Sequence, residues 1–578
     1  MDGLRKQLLE EVNEEKLMEY TRNIAREVRF SGSEEELRAF QYAKSQLEEF
    51  GFETKLHFSD GYISIPVSGE LEVNGQSFNA ITHSMGATTN SAVVAELIYV
   101  GKGTAEDLKN VDIRSKIALI DGLAVGPSVE RIQAAGGAAA VFINAKHTHE
   151  MIVSSVWGSP TTETISLLPN LPIVSCNYYD GTLIKEMLSR DKEVRARVST
   201  KVDTQWRKIP TLIAEIKGMD EPEKFVLFSG HIDSWHYGAM DNGSANATML
   251  EVARILAKRK NELRRSLRMA FWSGHSHGRY AGSTWYCDNH WEDLHDNGVL
   301  HINIDSVGAK GAAVLTEANC MTETKELVRK SVQEVADQFF NGTRYSRAGD
   351  QSFWGTGMPS LLMGLSEQPP TDDPASQAFA SLFGGANSGG YGWWWHTTED
   401  TIDKIDPKNL TRDCKIYTDI VYKACTEPIV PIDQREAVKE LKGTLETYAQ
   451  LGNKALSFEL SLERITGLEE KVTRLYKIGQ TENLSSEKIT VCNIGIMKLS
   501  RVLVPLNYVN GSNFEHDLTI NPSCIPVLAK MNEITDLPIN SSQYYLLKTE
   551  LTRQLNKVNY ALKQAIEIAE DTLSKLRS

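Results

Sequence analysis

Residues 224–244 read Lys224-Phe225-Val226-Leu227-Phe228-Ser229-Gly230-His231-Ile232-Asp233-Ser234-Trp235-His236-Tyr237-Gly238-Ala239-Met240-Asp241-Asn242-Gly243-Ser244. The apolar run over 224–230 reads as a strand, and residues 245–258 read as a helix. Between them lies a polar loop carrying two histidines and two aspartates. The same alternation continues on either side: residues 266–272 and 301–304 read as further strands. From about 210 to 430 strands and helices therefore alternate, which predicts an α/β fold with a mixed, mostly parallel sheet and helices on both faces.

The whole chain has 578 residues, too many for one hydrophobic core, so several domains are expected. Hydrophobic residues make up 41% and charged residues 24%, as in ordinary globular proteins. A formal net charge of -14 with no basic stripe argues against a nucleic-acid or anionic-membrane partner. The first twenty residues are charged and amphipathic, without the apolar segment of a secretory signal. No run of about 18 apolar residues occurs, so no membrane span is expected. The 7 cysteines are scattered from Cys176 to Cys524 with no CxxC pair, which fits reduced thiols in a cytoplasmic protein.

Residues 1–60 read as helices, with Leu37, Phe40, Ala43 and Leu47 at helical spacing before the turn Phe50-Gly51-Phe52. From 61 onward short alternating stretches such as Tyr62-Ile63-Ser64-Ile65 look like strands. Between about 90 and 200 come strands at 96–100 and 116–120, a helix ending in Ala134-Ala135-Gly136-Gly137, and strands at 140–143 and 171–174. This order resembles the protease-associated domain. After Pro431 the chain reads as helical. Residues 541–577 carry an apolar stripe (Leu547, Leu551, Leu555, Val558, Leu562, Ile566, Ala569, Leu573, Leu576) that suits a packed helix or a dimer-forming one. The expected division is 1–60 with 206–430, an insertion at 61–205, and a helical domain at 431–578.

Four segments carry the chemistry. They are 229–244, then Phe271-Trp272-Ser273-Gly274-His275-Ser276-His277-Gly278, then Asn303-Ile304-Asp305-Ser306-Val307-Gly308, then Trp395-His396-Thr397-Thr398-Glu399-Asp400-Thr401. Three of them directly follow predicted strands, and ligands of open α/β sheets bind beyond the carboxyl ends of the strands. His231, His275 and Asp305 can therefore meet although they lie far apart in the chain. Two imidazoles and two carboxylates suit zinc. Asp233, two residues past His231, is placed to orient a ligand imidazole.

The pattern H-x-D-S-W…G-A-x-D-N-G-S, W-S-G-x-x-x-G…G-S, N-x-D-x-V-G, W-H-T-x-x-D-T resembles the co-catalytic zinc peptidases, the family of the bacterial aminopeptidases, glutamate carboxypeptidase II and the transferrin receptor. The match covers about 200 residues. With the insertion and the helical C-terminal part, the layout is similar to that of the glutamate carboxypeptidases, in which the helical domain forms a homodimer. The resemblance implies that His231 and Asp305 bind one zinc, that Asp241 bridges two, and that His396 binds the other. One or two zinc ions, or another divalent metal, are thus the implied cofactor. The sequence departs from the family at its S-G-E-E-x-G motif. There the first Glu is the general base and the second a ligand; here those positions are His275 and Ser276. The turn that follows, Arg279-Tyr280-Ala281, is one residue longer.

His275 or His277 is therefore expected as replacement ligand or as acid/base, since imidazole titrates near neutrality. The expected activity is hydrolysis of an amide or peptide-like C–N bond in a small carboxylated or peptide-like substrate. A metal-dependent lyase and a non-catalytic binding protein remain alternatives. Tyr391 and Trp395 are expected as an aromatic wall, and Arg279 and Arg347 as clamps for a substrate carboxylate. The glycine-rich stretch 384–390 reads as a mobile loop over the site.

Overall fold

The computed structural model describes residues 3–371, 389–452, 455–480, 484–519 and 522–577. The loop expected at 384–390 lies largely outside them. Strand Glu221–His231 sits at the centre of the α/β part, parallel to Arg265–Trp272 on one side and to Gly298–Asn303 on the other. Its side chains alternate between faces. Val226 and Phe228 pack into the core shared with helices Ala245–Ala257 and Pro407–Thr426, while Phe225 and Leu227 pack with Trp272, Tyr286 and Phe353 on the other face. Both faces are covered, which is why the strand is a continuous apolar run rather than an alternating one.

Hydrogen bonding continues outward into one 12-stranded sheet. The continuity comes from two long antiparallel strands, Glu53–Val73 and Arg195–Ile216, paired almost end to end. One end of Arg195–Ile216 pairs with Arg265–Trp272, and the other with Val93–Tyr99. Beyond Val93–Tyr99 follow Ile117–Asp121, Ala139–Ile143 and Ile173–Cys176, all parallel. The mixed, mostly parallel sheet expected from the sequence is thus present.

One element differs from expectation. Residues 53–60 are strand, not helix: the last N-terminal helix, Glu34–Phe50, ends at Gly51 in the left-handed conformation. The pairing of Glu53–Asp60 with residues 208–215 overrides a weak local pattern.

The C-terminal part is helical, with helices Gln434–Gly452, Glu459–Gly479, Ser486–Tyr508 and Ser542–Arg577. Every residue of the stripe over 541–577 except Ile566 is buried, and Ile566 is partly so; the stripe packs on the two preceding helices. The chain itself covers that face. Helix Ser486–Tyr508 is long and apolar enough, by length and composition, to cross a membrane, which the sequence reading did not anticipate. It packs into the main core through Leu499 and Leu503, and Val504 joins a cluster with Met321, Tyr345 and Trp354 of the α/β part.

Where this bundle meets the α/β part, Glu323 is fully enclosed, and its main-chain carbonyl accepts from Asp433 N–H. Burial pushes its carboxyl up to about 7. The folded-state pKa lies above the unfolded value of about 4.3. The stability contributed by the neutral carboxyl is therefore full below about pH 4.3 and is lost as pH rises through 7. Glu323→Gln removes that dependence. Between pH 5 and 8 the melting temperature of the variant should fall less than that of the wild type. Parallel curves would show that Glu323 ionises freely in the folded chain.

Candidate metal centre

Three adjacent parallel strands end side by side, and each delivers one part of the cluster. His231 closes Glu221–His231, the turn 273–278 follows Arg265–Trp272, and Asp305 follows Gly298–Asn303. The loop after His231 is shaped by Arg29, a fully buried residue that the sequence reading missed. Its guanidinium donates to the carbonyls of Glu27, Ile232, Tyr237 and Gly238. Gly238 has φ +52°, and a Cβ there would stand 2.2 Å from the Asp241 carbonyl, so only glycine lets the loop close. Asp400 accepts from the amides of Met240 and Asp241 at 2.9 and 3.0 Å and thereby fixes the position of Asp241. Burial pushes the Asp400 carboxyl up to about 7.

Asp241 lies between two imidazoles. Oδ1 is 3.2 Å from His231 Nε2, and Oδ2 is 3.0 Å from His396 Nε2. Asp305 Oδ2 is 3.6 Å from the same His231 nitrogen. Each imidazole is oriented through its other nitrogen: His231 Nδ1 donates to the Asp233 carbonyl at 2.9 Å, and His396 Nδ1 to the Glu150 carbonyl at 2.7 Å. That leaves a lone pair on each Nε2 facing a carboxylate. Lone pair against carboxylate is repulsive unless a proton or cation lies between. His231 Nε2 and Asp241 Oδ1 are buried and have no hydrogen-bond partner among the described residues. Burial alone would push His231 down, but the carboxylates of Asp233, Asp241 and Asp305 outweigh it and raise the ring well above its usual range. Two carboxylates, two imidazoles and orphaned donor atoms fit a divalent cation held by nitrogen and oxygen. His231, His275 and Asp305 each offer a ligand atom, all within 4.8 Å of one another.

His275 stacks flat on His231, with ring centroids 3.6 Å apart. Its Nδ1 lies 2.9 Å from Asp350 Oδ2, and Asp350 Oδ1 accepts from Ser283 Oγ at 2.9 Å. Asp350 thus fixes the ring and leaves Nε2 for the cavity. The turn after it passes through Arg279 and Tyr280, both with positive φ, and Tyr280 packs edge-on against His275. Ser276 also lines the cavity.

His277 does not reach the site, contrary to expectation. It is fully buried between Phe30 and Trp235, with Nδ1 against Ser31, and burial pushes it down to about 3. Asp233 touches the His231 imidazole as expected, but through its backbone. Its main-chain carbonyl, not its carboxylate, makes the short contact with His231 Nδ1. The carboxylate accepts from Ser31 Oγ, from Ser276 N–H at 2.8 Å and from His275 N–H at 3.3 Å, so it latches the 274–276 turn.

A cavity of about 180 Å³ opens over the cluster, with Asp241, Asp305, His275 and His396 in its floor. Tyr391, Trp395, Arg279 and Arg347 all line it. Trp395 stacks on His396 at 3.4 Å, whereas Trp393 is turned outward against His147 and Trp394 is buried on Met240. Arg279 donates to the carbonyls of Ile152 and Ser154. The remaining wall comes from Val125, Pro127, Met151 and Ile152 of the insertion and from Thr519 of the C-terminal part. No local sequence signal marks these wall residues.

Residues 211–420 match the family model described as Peptidase family M28. The chain is 26% identical over 258 residues to the "Probable glutamate carboxypeptidase VP8" of Zea mays, covering 43% of this chain and 35% of that protein. It is 24% identical over 360 residues to "Aminopeptidase YwaD" of Bacillus subtilis (strain 168), covering 61% and 71%. The first of these matches thus spans about a third of its relative's length. Among solved structures, an aminopeptidase from Aneurinibacillus sp. strain AM-1 superposes with a TM-score of 0.55 at 22% identity, covering 73% of this chain and 96% of that one. At that identity the likeness is one of fold.

The latch makes a local prediction. Asp233→Ala should release the amides of His275 and Ser276. Hydrogen exchange over residues 273–280, read by mass spectrometry, should speed up by about ten- to a hundredfold, the worth of bonds to a charged acceptor. Unchanged exchange would mean that the turn is held by something else.

Proposed function

With residues 211–420 forming a domain of peptidase family M28, we propose that the chain is a divalent-metal hydrolase of an amide or peptide-like C–N bond. The observation that carries this reading is Asp241 with one carboxylate oxygen on each of two imidazoles, each ring oriented so that its lone pair faces that oxygen. In this reading His231, Asp241, Asp305 and His396 hold the metal, and zinc is the ion that this donor set favours. When bound, the ion supplies Lewis acidity to the scissile carbonyl.

The chain's own groups do the rest. His275 stands where the family carries its general base. With Nδ1–H held on Asp350, its Nε2 would take a proton from the attacking water as the C–O bond forms and give it to the departing amine as the C–N bond breaks. Trp395 and Tyr391 form an aromatic wall beside the reacting group, and Arg279 closes the side towards the insertion. The His275–Asp350 pair also favours a second reading, a lyase in which the same nitrogen takes a proton from carbon.

The reading extends to the rest of the chain. Residues 61–205 serve as a protease-associated insertion that supplies part of the cavity wall. Residues 431–578 pair two copies of the chain. A homodimer then uses a surface other than the 541–577 stripe, which is packed within the chain.

Purified protein should carry at least about half an equivalent of divalent metal. Chelation should abolish cleavage of small acyl amino acids and dipeptides, and zinc should restore it. His275→Ala should keep the metal and lose about 10²–10⁴-fold in turnover. Loss of the metal in that variant would reassign His275 as a ligand. Reaction in heavy-oxygen water should label the product carboxylate; deuterium from solvent on a product carbon would establish the lyase instead.

A further inference from the structure

The two imidazoles on Asp241 are placed by different parts of the chain. His231 ends a buried strand, and pairing with Trp272 fixes its backbone. Asp305 is held from the sheet as well: Ile304 N–H donates to the Ser229 carbonyl at 2.9 Å, and Ser306 N–H to Asn242 Oδ1 at 3.0 Å. His396 lies in a loop at φ +58°. That left-handed conformation is costly for a residue with a side chain and persists where the surroundings impose it.

The insertion supplies those surroundings. Glu150 N–H donates to the His396 carbonyl at 2.9 Å, and the His396 ring returns a bond from Nδ1 to the Glu150 carbonyl at 2.7 Å. One residue earlier, His149 Nδ1 donates to the Trp395 carbonyl at 2.6 Å. Trp395 is the ring stacked on His396. His149 is 1% exposed and is tied back into the insertion. Its N–H donates to Asn144 Oδ1 at 2.9 Å, and Asn144 Nδ2 donates to the Gly122 carbonyl at 2.9 Å. Asn144 directly follows strand Ala139–Ile143. A chain of bonds thus runs from the sheet of the insertion to the His396 ring.

The stretch that starts at His149 is fastened at its far end too. Arg279 donates to the carbonyls of Ile152 and Ser154 at 2.6 and 2.8 Å, and Gly158 N–H donates to the Arg279 carbonyl at 2.6 Å. Arg279 stands four residues past His275. Residues 149–158 therefore form a strap that joins the His396 loop to the turn of His275.

We propose that His149 is a positioning residue of the metal centre. Through Trp395 and the strap it sets the His396 side. Of two ions that share Asp241, the one held by His396 then depends on the docked insertion, and the one held by His231 and Asp305 does not. The coupling is reciprocal, so an ion on His396 tightens the strap. The ions rest on the reading of the cluster proposed above; the hold of the strap on His396 rests on the bonds just described.

Zinc titration of the metal-free full chain against a chromophoric chelator, paired with hydrogen exchange read by mass spectrometry, tests it. The wild type should take two equivalents, and zinc should slow exchange over residues 149–156. His149→Leu removes the donor. It should weaken one equivalent by about 10–100-fold, as loss of a group that orients a ligand does, and leave the other unchanged. His149→Asn, which offers an amide donor in place of Nδ1–H, should keep most of the affinity. Without zinc, His149→Leu should already speed exchange over residues 393–397. Exchange over 149–156 that ignores zinc in the wild type would overturn the proposal without any variant having to fold. So would a wild type that takes fewer than two equivalents, or a His149→Leu chain in which both equivalents are unchanged or weaken alike. A chain that passes these tests and cleaves no amide would end the hydrolase reading alone.

Discussion

The structure depends on placing one carboxylate, that of Asp241, between two imidazole lone pairs in a space largely closed to water. Negative charge against lone pairs has no stable arrangement there without a cation or a proton, so the surroundings must hold the groups together against their repulsion. The restraints are specific. Asp400 takes the two amides that set the Asp241 turn, Arg29 gathers four carbonyls of the adjoining segments, and the carbonyls of Asp233 and Glu150 fix the two rings. None of these groups forms part of the cavity surface, yet each determines where a lone pair points.

The same economy explains the turn over residues 273–278. His275 and Ser276 add no fixed negative charge to a cluster already rich in carboxylates. The Asp233 carboxylate, which faces the turn, grips it through backbone amides. Asp350, further along the chain, supplies the carboxylate that orients the new imidazole. The result places the His275 ring beside Asp241, Asp305 and His396 in the cavity floor.

Much of this was legible in the sequence because ligand residues directly follow strands. The runs at 224–230, 266–272 and 301–304 read as strands of one sheet, so His231, His275 and Asp305 can meet beyond their carboxyl ends; that the three strands are neighbours is shown by the fold. Other features have no local signal. His275 and His277 are two residues apart on one turn, and the contacts of Ser31, Asp233, Asp350, Phe30 and Trp235 decide which ring faces the cavity. Strand Glu53–Asp60 is half-exposed and weakly patterned, and it exists because a distant strand pairs with it. Arg29, Asp400 as a turn anchor and the wall from residues 125–155 are tertiary facts of the same kind.

X-ray absorption at the zinc edge of the purified protein tests the central claim most directly. A centre built on His231, Asp241, Asp305 and His396 predicts nitrogen and oxygen scatterers at about 2.0–2.2 Å, with the outer-shell pattern of imidazole and no sulfur near 2.3 Å. A sulfur shell, or zinc surrounded by oxygen alone with no imidazole scattering, would contradict the account.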